Sequence, residues 1–308
     1  MGVHTRLLGL AAALAGSPLH VPALRLHEDV GPVLFAGDST LRYQFELLCG
    51  DKLSITKVHG YWMCQVDKGY DAYYIDYMKL AQRHKDLYTG PDGATMRLRR
   101  LTGLTPRVVY FNFYGLWDLH LEPVLRWREP RRRREYTPDR LCQSMQHTVE
   151  LGVRSLILMT THHVCESRFD GPWAAILQEP GTDGESPGAE ALSRGEGASR
   201  STTGTDTGCR SYVAMGCSGL PMGMCGDDVE ALCRASTLTA AGAERLVEQE
   251  LPACDLCRAA GVRVAAVHAH SITAGAGCGH TVDGRHYDTE TVAREVEAYS
   301  AALANVTA

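Results

Sequence analysis

The sequence predicts an α/β fold: a three-layer α/β/α sandwich built on a mostly parallel sheet and interrupted by one disordered insertion. Three observations carry this expectation. Short runs that are apolar throughout recur along the chain, as strands covered on both faces require. Segments with helical spacing separate them, which is the alternation of a doubly covered sheet. Polar residues capable of chemistry follow directly after the apolar runs, where such sheets collect their reactive groups.

The elements follow in chain order. Arg6 precedes the apolar stretch Leu7 to Ala15, which ends in Ala13-Leu14-Ala15. This is the pattern of a secretory signal peptide with a small-residue cleavage site, placed over residues 1–20; the competing reading is a short buried helix. Val33-Leu34-Phe35-Ala36 reads as a buried strand, and Gly37-Asp38-Ser39 as the turn that ends it. Leu41, Phe45 and Leu48 then recur at helical spacing over Thr40 to Cys49. Arg107 to Phe111 is a second strand, Leu141 to Leu151 a helix, and Val153 to Thr161 a third strand. Ala240 to Ala260 reads as a helix closed by Gly261, Val262 to Val267 as a fourth strand, and Thr289 to Leu303 as a last amphipathic helix. Gln178 to Gly208 has no aromatic or β-branched aliphatic residue and is rich in Gly, Ser, Thr and Glu. It cannot bury enough apolar area to offset its ordering entropy, so a disordered insertion is expected over 178–208. The alternation resumes beyond it, so residues 30–308 are expected to form a single domain. There is no internal repeat.

Composition narrows the functional classes. The chain has 308 residues, 44% hydrophobic and 22% charged, which suits a globular protein with a sizeable core. Thirty-one Lys and Arg against 36 Asp and Glu give a net charge of −5, which argues against a polycationic nucleic-acid binder. No apolar run approaches the ~20 residues of a membrane-spanning helix. Eleven cysteines suggest an oxidising compartment, secreted or in the lumen of the secretory pathway; without a signal peptide the location would be cytoplasmic. Asn305-Val306-Thr307 is a glycosylation sequon. Arg131 to Arg134 is the densest basic run, read as a solvated loop, an anionic-surface contact or a processing site.

Ser39 stands in the turn after the first strand, where a helix begins. A serine hydroxyl needs a base to become a nucleophile, and a helix N-terminus offers N–H groups to an oxyanion. Gly37 permits the sharp turn and Asp38 can hold it by accepting backbone hydrogen bonds. Ser39 as a plain helix N-cap is the alternative. Asp283-Gly284-Arg285-His286 follows the fourth strand. Its spacing allows Asp283 and His286 to meet on one tight turn, with His286 as general base and Asp283 fixing its tautomer. The alternative is an ordinary polar turn.

Taken together, Gly37-Asp38-Ser39 and Asp283-x-x-His286 resemble the SGNH (GDSL-like) hydrolase superfamily. The longer string Gly37-Asp38-Ser39-Thr40-Leu41-Arg42 is similar to the PC-esterase branch, which includes plant trichome-birefringence-like acetyltransferases and the luminal domain of sialic-acid O-acetyltransferase. The resemblance frames the chain from about Leu34 to Leu303, with specific motifs at its two ends. It implies a serine nucleophile at Ser39 and triad partners at Asp283 and His286. It also implies oxyanion donors at the Ser39 N–H, at Asn112 and at a glycine, for which Gly60 in Val58-His59-Gly60-Tyr61 is the candidate. Gly37, Asp38 and Arg42 would support the site; Asp118 and His120 would lie near it.

Other groups compete for a role. His162-His163 with Cys165, and His268 with His270, follow predicted strands and carry atoms that zinc accepts. Neither group has a recognised metal spacing. Cys254 and Cys257 form one CxxC without a second, and Cys209, Cys217, Cys225 and Cys233 recur every eight residues. No Gly-rich phosphate loop is present, so no metal or cofactor is assigned. The functional expectation is a Ser-His-Asp esterase or O-acyltransferase acting on acyl esters, acetyl on a glycan foremost. Its partner would be an acylated small molecule or glycan, with no nucleic acid and no integral membrane span. The alternatives are an inactive secreted glycan-binding module of the same fold and a metal-binding protein using the His/Cys groups.

Overall fold

The computed structural model describes residues 30–50, 52–58, 61–66, 69–76, 91–112, 138–168 and 261–308, with single positions at Gly242, Arg245, Val247 and Cys254. Among these residues the chain forms an α/β structure with seven strands and five α-helices. They run β1 (Val33–Gly37), α1 (Ser39–Leu48), β2 (Thr56–Val58), β3 (Tyr61–Val66), β4 (Tyr70–Asp76), α2 (Pro91–Thr102), β5 (Val108–Asn112), α3 (Pro138–Glu150), β6 (Ser155–Met159), β7 (Arg263–Val267), α4 (Ala269–Ala276) and α5 (Thr289–Thr307).

The strands form one sheet in the order β2-β3-β4-β1-β5-β6-β7. β4, β1, β5, β6 and β7 are mutually parallel, while β2 and β3 run antiparallel at one edge. Three of these strands, β2 to β4, depart from the expectation of four buried strands. β2 is only three residues long, β3 carries Gln65 on an exposed position, and Asp71 and Asp76 flank the short buried run Ala72–Ile75 of β4, so none offers the long apolar run of a central strand. Helix α2 is an addition to the expected elements: its buried face mixes Ala94 and Leu98 with Asp92, Thr95 and Arg97, which blurs the apolar repeat. β7 is an edge strand whose residues Arg263 to Ala266 are half-buried or exposed rather than buried throughout. Helix α5 runs four residues past the expected Leu303.

Pleat alternation splits the core into two clusters. Leu34, Ala36, Val109, Phe111, Leu156 and Leu158 face Ala94 and Leu98 of α2 and Met145 of α3. Val33, Phe35, Tyr110, Ile157 and Met159 face Leu41 and Phe45 of α1 and Tyr299 and Leu303 of α5. Tyr110 stacks on Tyr299 with ring centroids 4.7 Å apart, and Phe35 meets Phe45, Tyr110 and Tyr299 edge-on or tilted.

Among the described residues three disulfides form: Cys49–Cys64, Cys142–Cys254 and Cys165–Cys278. No helix among the described residues is long and apolar enough to cross a membrane. The 1–20 segment, the 178–208 insertion, Arg131 to Arg134, Gly60, Asp118, His120, Cys209, Cys217, Cys225, Cys233 and Cys257 lie outside the described residues, as does most of the 240–260 helix.

Candidate active site

The parallel strands β1, β5, β6 and β7 all end at one edge of the sheet, and each delivers polar residues there. β1 ends at Gly37 and the chain turns at once into α1. Asp38 is the N-cap: its Oδ1 accepts from the Thr40 N–H at 2.9 Å and from the Thr40 hydroxyl at 2.6 Å. Capping therefore falls to Asp38, and the Ser39 hydroxyl is left for other partners. The first helical bond runs from the Arg42 N–H to the Asp38 carbonyl, so the Ser39 N–H stays outside the ladder at the positive end of the helix. The buried Tyr74 hydroxyl donates to the Asp38 carbonyl at 2.9 Å and braces the turn from β4.

Gly37 owes its identity to close packing. A Cβ there would collide with the Asn112 side-chain amide and come within 2.9 Å of Leu41 Cδ2. Asn112, 2% exposed at the end of β5, thus lays its amide against the turn that carries Ser39. Arg42 pairs with Glu46 at 3.4 Å and lies over the rings of Tyr43 and Trp62.

The second half of the site is the segment between α4 and α5. Gly284 has φ +87°, which a side chain rarely adopts, and this folds Asp283 back onto the residues after it. Asp283 Oδ1 accepts from the His286 N–H at 2.8 Å, and Asp283 Oδ2 lies 2.6 Å from His286 Nδ1. His286 Nε2 in turn lies 2.7 Å from Ser39 Oγ. A continuous hydrogen-bonded chain Ser39–His286–Asp283 is thereby assembled from residues 247 positions apart. Burial alone would raise the Asp283 pKa. The hydrogen bonds from the His286 ring and backbone, with the imidazole's positive charge, instead hold it well below the usual carboxylate range.

No family model, curated protein or solved structure matches this chain.

A cavity of about 570 Å³ opens beside His286, lined by Tyr43, Leu47, Val282, Asp283, Tyr287 and Val292 among others. This is within the size range of small-molecule sites. Tyr43 meets the His286 ring edge-on at 5.1 Å. It stands four residues after Ser39, so both project from one side of α1, and that spacing was a usable signal for a residue the sequence reading passed over.

The other histidines that follow strands are placed as follows. His162 is buried against Glu295. His163 is half-buried, with its pKa lowered by desolvation. His270 is buried, its N–H donating to Thr160 Oγ1 at 2.9 Å, and His268 is exposed. His163 does lie with Cys165 and Cys278 in a group whose ligand atoms are all within 4.8 Å of one another. The two sulfurs are bonded to each other, so neither is a thiolate ligand while that bond stands.

Proposed function

We propose that the chain is a serine esterase or O-acyltransferase of the SGNH hydrolase type, similar to the PC-esterase branch, with Ser39, His286 and Asp283 as its triad. The observation that carries this reading is the hydrogen-bonded chain from Ser39 Oγ through His286 to Asp283. An ordinary polar turn with a surface histidine has no reason to reach a serine at the start of a distant helix. The place of Ser39 directly after the end of β1, at the carboxyl ends of the parallel strands, lends further support.

In the first step Ser39 Oγ attacks the acyl carbonyl carbon while His286 Nε2 takes its proton. Asp283 holds the Nδ1–H tautomer and stabilises the imidazolium. The oxyanion is received at the N-terminus of α1 by the Ser39 N–H, with the Asn112 amide as second donor. Collapse expels the alcohol, which takes the proton from His286, and leaves an acyl-Ser39. Water or a sugar hydroxyl, deprotonated by His286, then releases the acyl group. The first outcome is hydrolysis and the second is transfer. The substrate class is an acyl ester, acetyl on a glycan foremost. The disulfides suit a compartment of the secretory pathway.

Labelling with a fluorophosphonate tests the reading. Wild-type protein is expected to be captured at Ser39, and Ser39→Ala to lose both labelling and p-nitrophenyl acetate turnover while melting as the wild type does. A folded Ser39→Ala protein with most of its turnover would move the nucleophile elsewhere.

A further inference from the structure

One buried ionic group is unused by the mechanism above. His162, just beyond the end of β6, is 2% exposed, and its Nε2 lies 2.6 Å from Oε1 of Glu295, which is fully buried in α5. On the other side of the ring, Nδ1 lies 3.0 Å from the carbonyl oxygen of Arg285, the residue before His286. Both ring nitrogens therefore face oxygen acceptors, and only an imidazolium has a proton for each. His162 Nε2 and Glu295 Oε1 have no hydrogen-bond partner of their own among the described residues, so each is the other's compensation. Burial alone would depress the His162 pKa, but the Glu295 charge and the Arg285 carbonyl reverse this and keep it raised.

The second Glu295 oxygen is also committed. Glu295 Oε2 accepts from Gln44 Nε2 of α1 at 2.9 Å, and Gln44 Oε1 accepts from the Tyr110 hydroxyl of β5 at 2.7 Å. The network thus touches the two elements whose separation sets the Ser39–His286 distance. Gln44 stands on the helix that Ser39 opens, and Arg285 abuts His286. Buried charge pairs are weak sources of net stability, since the desolvation cost offsets the attraction. A pair placed here has a better rationale as a spacer between the two halves of the site.

We infer that His162 and Glu295 are positioning residues, holding the Arg285 carbonyl, and with it the His286 ring, at its reach from Ser39. The inference rests on the esterase reading for its kinetic consequence but not for its geometric one. Removing one partner leaves a buried uncompensated charge, so His162→Ala risks the fold. The informative variant replaces both partners by apolar residues of similar shape, His162→Phe with Glu295→Met, which leaves no orphaned charge.

The double variant is expected to melt cooperatively, a few degrees below the wild type because Gln44 Nε2 loses its Glu295 acceptor and keeps only Met159 Sδ. Its p-nitrophenyl acetate KM should be unchanged and its kcat lower by roughly 10- to 100-fold, the scale of a misplaced catalytic group. The far-downfield proton NMR signal of the His286 Nδ1–H bound to Asp283 should shift or broaden, because the ring has lost its anchor. A folded double variant with wild-type kcat and an unchanged signal overturns the inference. So does a double variant that cannot fold, because the pair would then serve the fold itself. If the wild-type protein is never labelled at Ser39, the esterase reading fails, and the NMR signal alone still decides the positioning role.

Discussion

Asp283 accepts from two backbone N–H groups and two side-chain nitrogens, and it is the most heavily used carboxylate of the site. Its folded-state pKa is lowered, so its stabilisation is complete above the unfolded value of about 3.9 and fades as pH falls toward the folded value. Asp283→Asn should therefore cost about 1.5–3 kcal/mol at neutral pH, the scale of hydrogen bonds to a charged group. The difference from wild type should be full at pH 7 and shrink as pH falls below the unfolded value of about 3.9. Denaturant melts of both proteins at pH 7 and at about pH 2 check this, and an equal difference at both pH values would refute it. The same variant should keep more esterase activity than Ser39→Ala, because the aspartate orients the base without touching the reacting atoms.

The strand–turn–helix from Val33 to Leu48 works as one element, and Gly37 is where it is tightest. Gly37→Ala must displace the Asn112 amide or Leu41, an overpacking that costs about 1–3 kcal/mol. Because Asn112 is the proposed second oxyanion donor, kcat should fall along with the melting temperature. An alanine variant with lowered stability but full kcat would remove Asn112 from the chemistry. This element was legible in the sequence because its signals agree: an apolar run, a capping residue and a helical repeat. Asp283 and His286 were legible for the same reason, as their spacing closes a turn by itself. β2 to β4 were not, because β2 is three residues with a central lysine, and the tyrosine-rich runs of β3 and β4 are short and bounded by Gln65, Asp71 and Asp76. Glu295 was missed although it stands in register with Thr291 and Tyr299 on the buried face of α5, where an acid is out of place. Its partners His162 and Gln44, 133 and 251 positions earlier in the chain, explain it.

For the molecule as a whole, the disulfides matter through the chain length they close. Cys49 and Cys64 are 15 positions apart, and a loop of that size is worth about 3 kcal/mol. Cys142 and Cys254 are 112 apart, for which the same argument gives at most roughly 4.7 kcal/mol, and somewhat less while Cys165–Cys278 shortens that loop. Replacing both Cys142 and Cys254 by alanine should therefore destabilise more than replacing Cys49 and Cys64, measured as the shift of the denaturation midpoint. The reverse order would show that strain or residual unfolded-state structure dominates.

Two of these bridges, Cys142–Cys254 and Cys165–Cys278, span the same stretch of chain, and β6 and β7 pair across it. The nucleophile lies on one side of that stretch and its base on the other. A peptide bond cut anywhere between Arg168 and Cys254 would thus yield two polypeptides that still travel as one molecule. The heavier piece would carry Ser39 and the lighter one Asp283 and His286. Such a two-chain form would be held by both bridges and by the β6–β7 pairing, with serine and histidine on opposite pieces of one molecule.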